Sequence, residues 1–204
     1  MKASAYRACI AASALALAGV CTPAAAQLGN PAGWAPTTMN DPPGKPAPMR
    51  TNVQDELFVQ LASAGDRFEV QASELALKKS GSDGIKEFAQ RMKDAHTDSS
   101  AKLASIAESV KVPISKYAAP DDQATLQRLQ SLDGESFDAA WLQAQLVAHQ
   151  KAAQLLIWQA GQGQNGDLQR YASATLVDVW AHMEAVQRLL AEQTTVGRQG
   201  LATR

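Results

Sequence analysis

The chain contains three histidines, His96, His149 and His182. Imidazole titrates near neutral pH and binds transition metals through an unprotonated ring nitrogen. Each histidine falls on the inward seam of a different helix-like segment. Three imidazoles aimed at one core form either a ligand set or an internal hydrogen-bond cluster. Glu69 belongs to the same question. It flanks a seam between Ala62 and Ala76, where small neighbours leave room for a carboxylate to turn inward. A buried carboxylate needs a partner, and a histidine or a metal ion would serve. Asp178 stands four residues before His182, on the same helical face, and is the candidate supporting group there. Met92, four residues before His96, offers a soft thioether to copper, although seam methionines usually fill cores.

The segments that must position these groups read as helices. Asn52 is placed to cap the first, with Asp55 in its first turn. Phe58, Leu61, Gly65, Phe68, Ala72 and Leu75 then recur at spacings of three and four, a bundle-type seam. Gly81 is expected to stop this helix. Ser82 or Asp83 caps the second, whose seam runs Ile85, Ala89, Met92, His96, Ser99, Leu103, Ile106 and Val110 before Pro113 ends it. A long connection follows, and Pro120-Asp121-Asp122 opens a short helix within it. There Leu126, Leu129 and Leu132 are expected to cover one end of the core. A further helix spans about Ser136 to Ala160 on Leu142, Leu146, His149, Ala153 and Leu156, ended by Gly161-Gln162-Gly163. Asp167 is expected to cap the last, whose seam is Leu168, Ala172, Thr175, Val179, His182, Val186 and Leu189. No strand-like alternation competes. The expected fold is all-α: an antiparallel four-helix bundle with a short extra helix in the middle connection.

Axial height supports a shared layer. His96 lies 14 residues past Ser82, and Glu69 lies 12 before Gly81. His149 lies 12 before Gly161, and His182 lies 15 past Asp167. All four are near the middle of their helices, so Glu69, His96, His149 and His182 can meet.

The ends suggest export. Residues 1–26 read as a signal peptide: Lys2 and Arg7, an apolar run from Ala8 to Val20, then Ala24-Ala25-Ala26. The run is shorter than the ~20 residues a membrane span needs, and no later segment is long and apolar enough. The expected destination is the periplasm. Lipoprotein anchoring through Cys21 is the less favoured alternative, because Val20 is large for that processing. Both cysteines, Cys9 and Cys21, fall in this segment, leaving none for a disulfide. Residues 27–51 carry Pro31, Pro36, Pro42, Pro43, Pro46 and Pro48 and read as a disordered tether. The folded domain is expected over residues 52–193, followed by a disordered tail over 194–204.

Without Lys2 and Arg7, the 19 basic side chains fall to 17 against 20 acidic, a formal charge of −3. No basic block appears, which disfavours nucleic-acid binding. No nucleophile-elbow or phosphate-cradling glycine pattern is present, so the expectation is a protein that is not an enzyme. Trp141, Trp158 and Trp180 read as core or rim packing. Nothing in the sequence identifies a protein partner.

Phe88-Ala89-Gln90-Arg91-Met92-Lys93-Asp94-Ala95-His96-Thr97 resembles a motif of the family called domain of unknown function 4142. Gly134-Glu135-Ser136-Phe137-Asp138-Ala139-Ala140-Trp141 resembles a second, followed by the histidine equivalent at His149. Leu176 to His182 resembles a third, and Glu69-Val70 with Leu75-Ala76 match the family's first helix. The resemblance covers roughly residues 53–193. It implies a ferritin-like helical bundle, export from a bacterial cell and the three histidines, and it supplies no activity. The chain departs from the pattern where the family tends to place an acid before each histidine: here Ala95, Ala148 and Ala181. Asp94 and Asp178 are the nearest substitutes. A ferritin-like di-iron site needs Glu three residues before His on two helices, and those positions hold Lys93, Leu146 and Val179. Iron storage or ferroxidase chemistry is therefore unsupported.

Two functional readings follow. The first is a non-enzymatic envelope protein, binding or structural, whose histidine cluster is internal. The second is a protein that binds a transition metal ion (zinc, copper or iron) through His96, His149 and His182 with Glu69, and serves metal handling or oxidative stress. A redox enzyme at the same site is a third, weaker reading.

Overall fold

The computed structural model describes residues 51–202, with side chains as far as Gln193. The expected leader, its two cysteines and the tether before Thr51 lie outside the described residues. Five helices follow in order: α1 (Val53–Lys79), α2 (Asp83–Ser109), α3 (Pro120–Gln130), α4 (Gly134–Gln162) and α5 (Gly166–Ala202). Among the described residues there is no strand, and no helix is long and apolar enough to cross a membrane.

α1 begins with a capping box. Asn52 Oδ1 accepts from the Asp55 amide at 2.8 Å, and Asp55 Oδ2 accepts from the Asn52 amide at 3.0 Å, which satisfies amides that a helix start leaves unpaired. The buried Asp55 also accepts from Gln159 Nε2 at 2.6 Å and from the amide of Asn165 at 3.1 Å. One carboxylate thus clasps the start of α1 to the turn between α4 and α5. α2 starts where expected, with Ser82 Oγ accepting from the Ile85 amide at 3.3 Å.

Several boundaries differ from the sequence expectation. Ser80, in extended conformation, caps the end of α1. The α1–α2 turn needs no left-handed residue, so Gly81 has no special role as a stop. The α5 cap is Asn165, whose Oδ1 accepts from the amides of Asp167 and Leu168 at 3.0 and 3.1 Å. Asp167 sits in the first turn beside Arg170 instead. Lys111 is left-handed at φ 59°. The amides of Lys111 and Val112 return to the carbonyls of Glu108 and Ala107, the paired bonds that commonly close a helix. α5 continues to Ala202, where a disordered tail from Thr194 was expected. Helix propagation is cheap once nucleated, so a backbone helix does not need the hydrophobic periodicity to continue.

The apolar interior falls into two clusters. One gathers Phe58, Val59, Leu103, Leu156, Leu168 and Val179, from the N-terminal halves of α1 and α5 and the C-terminal halves of α2 and α4. The other gathers Phe68, Ile85, Phe88, Trp141, Leu142 and Val186, from the opposite halves. Trp141 Nε1 donates to the Ala72 carbonyl at 2.9 Å, pinning α4 to α1 within the second cluster. α3 packs on the flanks of α1 and α4, with Leu126 and Leu129 buried in that second cluster. It was expected over an end of the core; lying along the side, it starts level with the middle of α4, where Lys151 pairs with Asp121 and Asp122. Leu61, expected on the seam of α1, is 44% exposed.

Candidate metal centre

Between the two apolar clusters lies a polar belt. The middle of α1 contributes Asp66 and Glu69, three residues apart and both buried. α2 contributes His96, α4 contributes Gln145 and His149, and α5 contributes His182. The sequence thus carries its only three histidines on three separate helices to one height. Their ring centroids lie 5.5 Å (His96–His149), 5.9 Å (His96–His182) and 5.3 Å (His149–His182) apart. One nitrogen from each ring falls within a group whose members all lie within 4.8 Å of one another.

Hydrogen bonds assign the ring protons. His96 Nδ1 lies 2.8 Å from Asp66 Oδ1. A carboxylate can only accept, so Nδ1 carries a proton, and in the neutral ring Nε2 presents the lone pair. That Nε2 is buried and has no hydrogen-bond partner. His149 Nδ1 lies 2.9 Å from the Gln145 carbonyl oxygen, which likewise leaves Nε2 unprotonated. His149 Nε2 is 3.3 Å from His182 Nδ1. Two nitrogens bound to one tetrahedral ion at ~2.0–2.1 Å stand about 3.3–3.4 Å apart, so this pair already has the spacing of two ligands.

Electrostatics keeps the lone pairs of two of the three rings available. Burial, followed by the charge of His96, holds the His149 imidazole down at about 4. Burial, then His149 and His96, does the same to His182, also at about 4. Both rings are neutral at pH 7, the form that ligates metals. His96 is raised: burial pulls it down, but its hydrogen bond to Asp66 and the charges of Glu69 and Asp66 outweigh that pull, so a metal ion at His96 competes with a proton. Glu69 is pushed up to about 7, chiefly by burial, against the opposing effects of His96 and the Gln145 hydrogen bond.

Glu69 supports the site from behind His149. Its Oε2 accepts from Gln145 Nε2 at 2.7 Å. Its Oε1 comes within 3.4 Å of His149 Nδ1, but the single proton there points to the closer Gln145 carbonyl. The approach is a contact with a neutral ring, not an ion pair, and Oε1 remains without a hydrogen bond. Glu69 falls outside the group of nitrogens that share 4.8 Å, although the sequence placed it among the ligands. Asp178 is exposed and acts on His182 through charge alone. Met92 is buried in the apolar cluster beyond the belt. Asp94 is exposed and bonded to Gln90, so it replaces none of the acids missing before the histidines.

Two members of the belt escaped the sequence reading: Asp66 and Gln145. Asp66 stands one residue off the seam position Gly65, where a charge reads as a solvated face. Its spacing of three from Glu69 was the available signal, since it puts both acids on one face.

A family described as Domain of unknown function (DUF4142) matches residues 40–189. No curated protein matches the chain. Among solved structures, a DUF305 fragment from Deinococcus radiodurans is similar at a TM-score of 0.63 and 14% identity, covering 70% of this chain and 99% of that one. A DUF305 protein from Streptomyces coelicolor is similar at a TM-score of 0.61 and 15% identity, covering 69% of this chain and 94% of that one. At such identities the likeness is one of fold. The family match spans most of the chain, including both acids and all three histidines of the belt, and the protein belongs to the DUF4142 family.

Proposed function

We propose that this protein binds one transition metal ion (zinc, copper or iron) at His96, His149 and His182, as an exported, non-enzymatic protein of the bacterial envelope. The observation that carries the reading is the convergence of three ring nitrogens within 4.8 Å, with His96 Nε2 buried and without a hydrogen-bond partner. Imidazole donors suit these ions. A metal-bound histidine usually donates its other ring proton to a carboxylate or a backbone carbonyl. His96 and His149 already do so, to Asp66 and Gln145. Asp66 and Glu69 would balance the charge of the ion.

The fold reading behind the proposal is an antiparallel four-helix bundle of ferritin-like type, with α3 in the crossover between α2 and α4. The shared halves of α1 with α5, and of α2 with α4, support that connectivity, as do the DUF305 neighbours. Export rests on the leader-like residues 1–26. The competing reading is an internal hydrogen-bond cluster. The His149–His182 contact favours it, but it leaves His96 Nε2 without a partner.

The test is elemental analysis of protein purified without an affinity tag, paired with thermal melts with and without zinc, copper or iron. Bound metal is expected, with stabilisation of about 2.7 kcal/mol at a hundredfold excess of ion over its dissociation constant. Protein that carries no metal and gains no stability from any of the three leaves only the hydrogen-bond cluster.

A further inference from the structure

A cavity of about 280 Å³ runs from the surface to the polar belt, with Asp66, Glu69, His96 and His149 among its lining residues. Its outer rim carries the exposed Leu61 of α1, Asp121 of α3 and Lys151 of α4. Protein interiors are normally packed without such voids. A mostly apolar recess with a few convergent polar groups is the usual form of a small-molecule site. The walls here are apolar, built by Ala62, Phe68, Ala148, Ala152, Leu155 and Val179.

We propose that this cavity binds a small neutral molecule with an apolar body and one nitrogen or sulfur donor, which adds a ligand to the ion held by the three imidazoles. The proposal rests on the metal reading above. Three protein nitrogens leave one position open on a four-coordinate ion, and two of the three histidines, His96 and His149, line the cavity. The apolar walls favour a body of carbon. The charge of the lining disfavours an anion: Asp66 stands inside and Asp121 and Asp122 near the mouth. Lys151, the lysine of this lining, is paired with both outer aspartates, at 2.5 Å from Asp121 and 3.3 Å from Asp122. Nitrogen and sulfur donors suit the ions that imidazole holds.

The test uses the purified protein loaded with cobalt(II), whose visible bands report its ligands. Imidazole and 4-phenylimidazole share a donor and differ by one apolar ring. Both are expected to shift the cobalt bands, with 4-phenylimidazole binding at least about tenfold tighter because its ring is buried. Ala152→Trp fills the cavity and is expected to keep cobalt uptake while abolishing the tighter binding. If that variant does not fold, Ala152→Leu is expected to reduce the preference at least about threefold. Cobalt bands that neither probe shifts, equal affinities for the two, or a preference untouched by filling the cavity would overturn the ligand site and leave the metal site standing. Failure to take up cobalt, zinc or copper at all would overturn the metal reading and this proposal with it.

Discussion

Asp66 Oδ1 on α1 lies 2.8 Å from His96 Nδ1 on α2, and both side chains are buried. The aspartate holds the proton on Nδ1 and fixes the aim of the ring, which packs against the other two imidazoles. Removing it frees the ring to turn and to move its proton. Asp66→Ala is expected to weaken zinc or copper binding about 10–100-fold, measured by competition with a chromophoric chelator. An unchanged affinity would mean that His96 is not a ligand, or that its orientation is set elsewhere.

His182 and His149 should separate ligation from packing. His149 is fully buried, whereas His182 is only partly so. His182→Ala is expected to cost the metal-free protein about 1 kcal/mol or less, yet to abolish the rise in melting temperature on adding metal. His149→Ala is expected to abolish the same rise and also to destabilise the metal-free protein by about 2–4 kcal/mol. Melts of the two variants with and without zinc decide it; a His182→Ala protein that still gains stability from metal would remove that residue from the site.

The metal-free protein should show a stability maximum slightly acid of neutral. His149 and His182 are held at about 4 in the folded state, against 6.5 in an ordinary environment. The unfolded chain therefore takes up their protons first, and stability rises with pH between 4 and 6.5. Glu69 has the opposite sign. Its folded value of about 7 exceeds its ordinary 4.5, so its contribution is present below 4.5 and lost as pH rises through 7. Between 4.5 and 6.5 two imidazoles outweigh one carboxyl, while His96, raised in the fold, holds its proton in both states. Above that window the release of protons from Glu69 and His96 reverses the slope. Urea unfolding at stepped pH with a chelator present should trace a rise and then a fall; a steady decline from pH 4.5 upward would show that the two imidazoles are not buried neutral.

Asp55 tests the scaffold independently of the site. Asp55→Ala removes half the capping box and strips partners from Gln159 Nε2 and the Asn165 amide. Buried donors left unpaired cost about 1–3 kcal/mol each. The expected loss is about 3 kcal/mol in chemical denaturation, and a loss below about 1 kcal/mol would mean that water or a rearranged turn replaces the clasp.

Lys111 offers the converse. Its side chain is exposed and its backbone left-handed at φ 59°, a conformation that costs an L-residue roughly 1–2 kcal/mol. Lys111→Gly removes that strain but adds freedom to the unfolded chain. The net expectation is stabilisation by about 0.5–1 kcal/mol in the same denaturation experiment, with destabilisation as the opposing result.

The helices were legible because helix signals are local. Asn52 with Asp55, Ser82, and Pro120 each announce a start within one turn, and the seams repeat within a heptad. The three histidines were legible for the same reason: their seam positions and their distances from helix ends could be counted. Asp66 and Gln145 were not. Each stands beside a seam, and each is buried because α1 and α4 pack against more than one neighbour, which widens the hidden stripe beyond a two-residue seam. Glu69 was found, with a histidine or a metal ion as its expected partner, but its place behind His149 was not. Which edge of His149 it meets depends on side-chain directions across two helices, and no spacing within one helix encodes that.

The separation of the apolar interior into two clusters has a consequence for folding. Leucine, alanine and phenylalanine seams repeat, so a bundle held by them alone tolerates helices that slide past one another by a turn or two. The belt of Asp66, Glu69, Gln145 and the imidazoles interrupts that repeat once on each of the four long helices. Sliding any helix would carry a carboxylate or an imidazole into an apolar half and strip it of its partner, at a cost of several kcal/mol. The belt therefore acts as an alignment pin, selecting one axial register for all four helices before any ligand arrives.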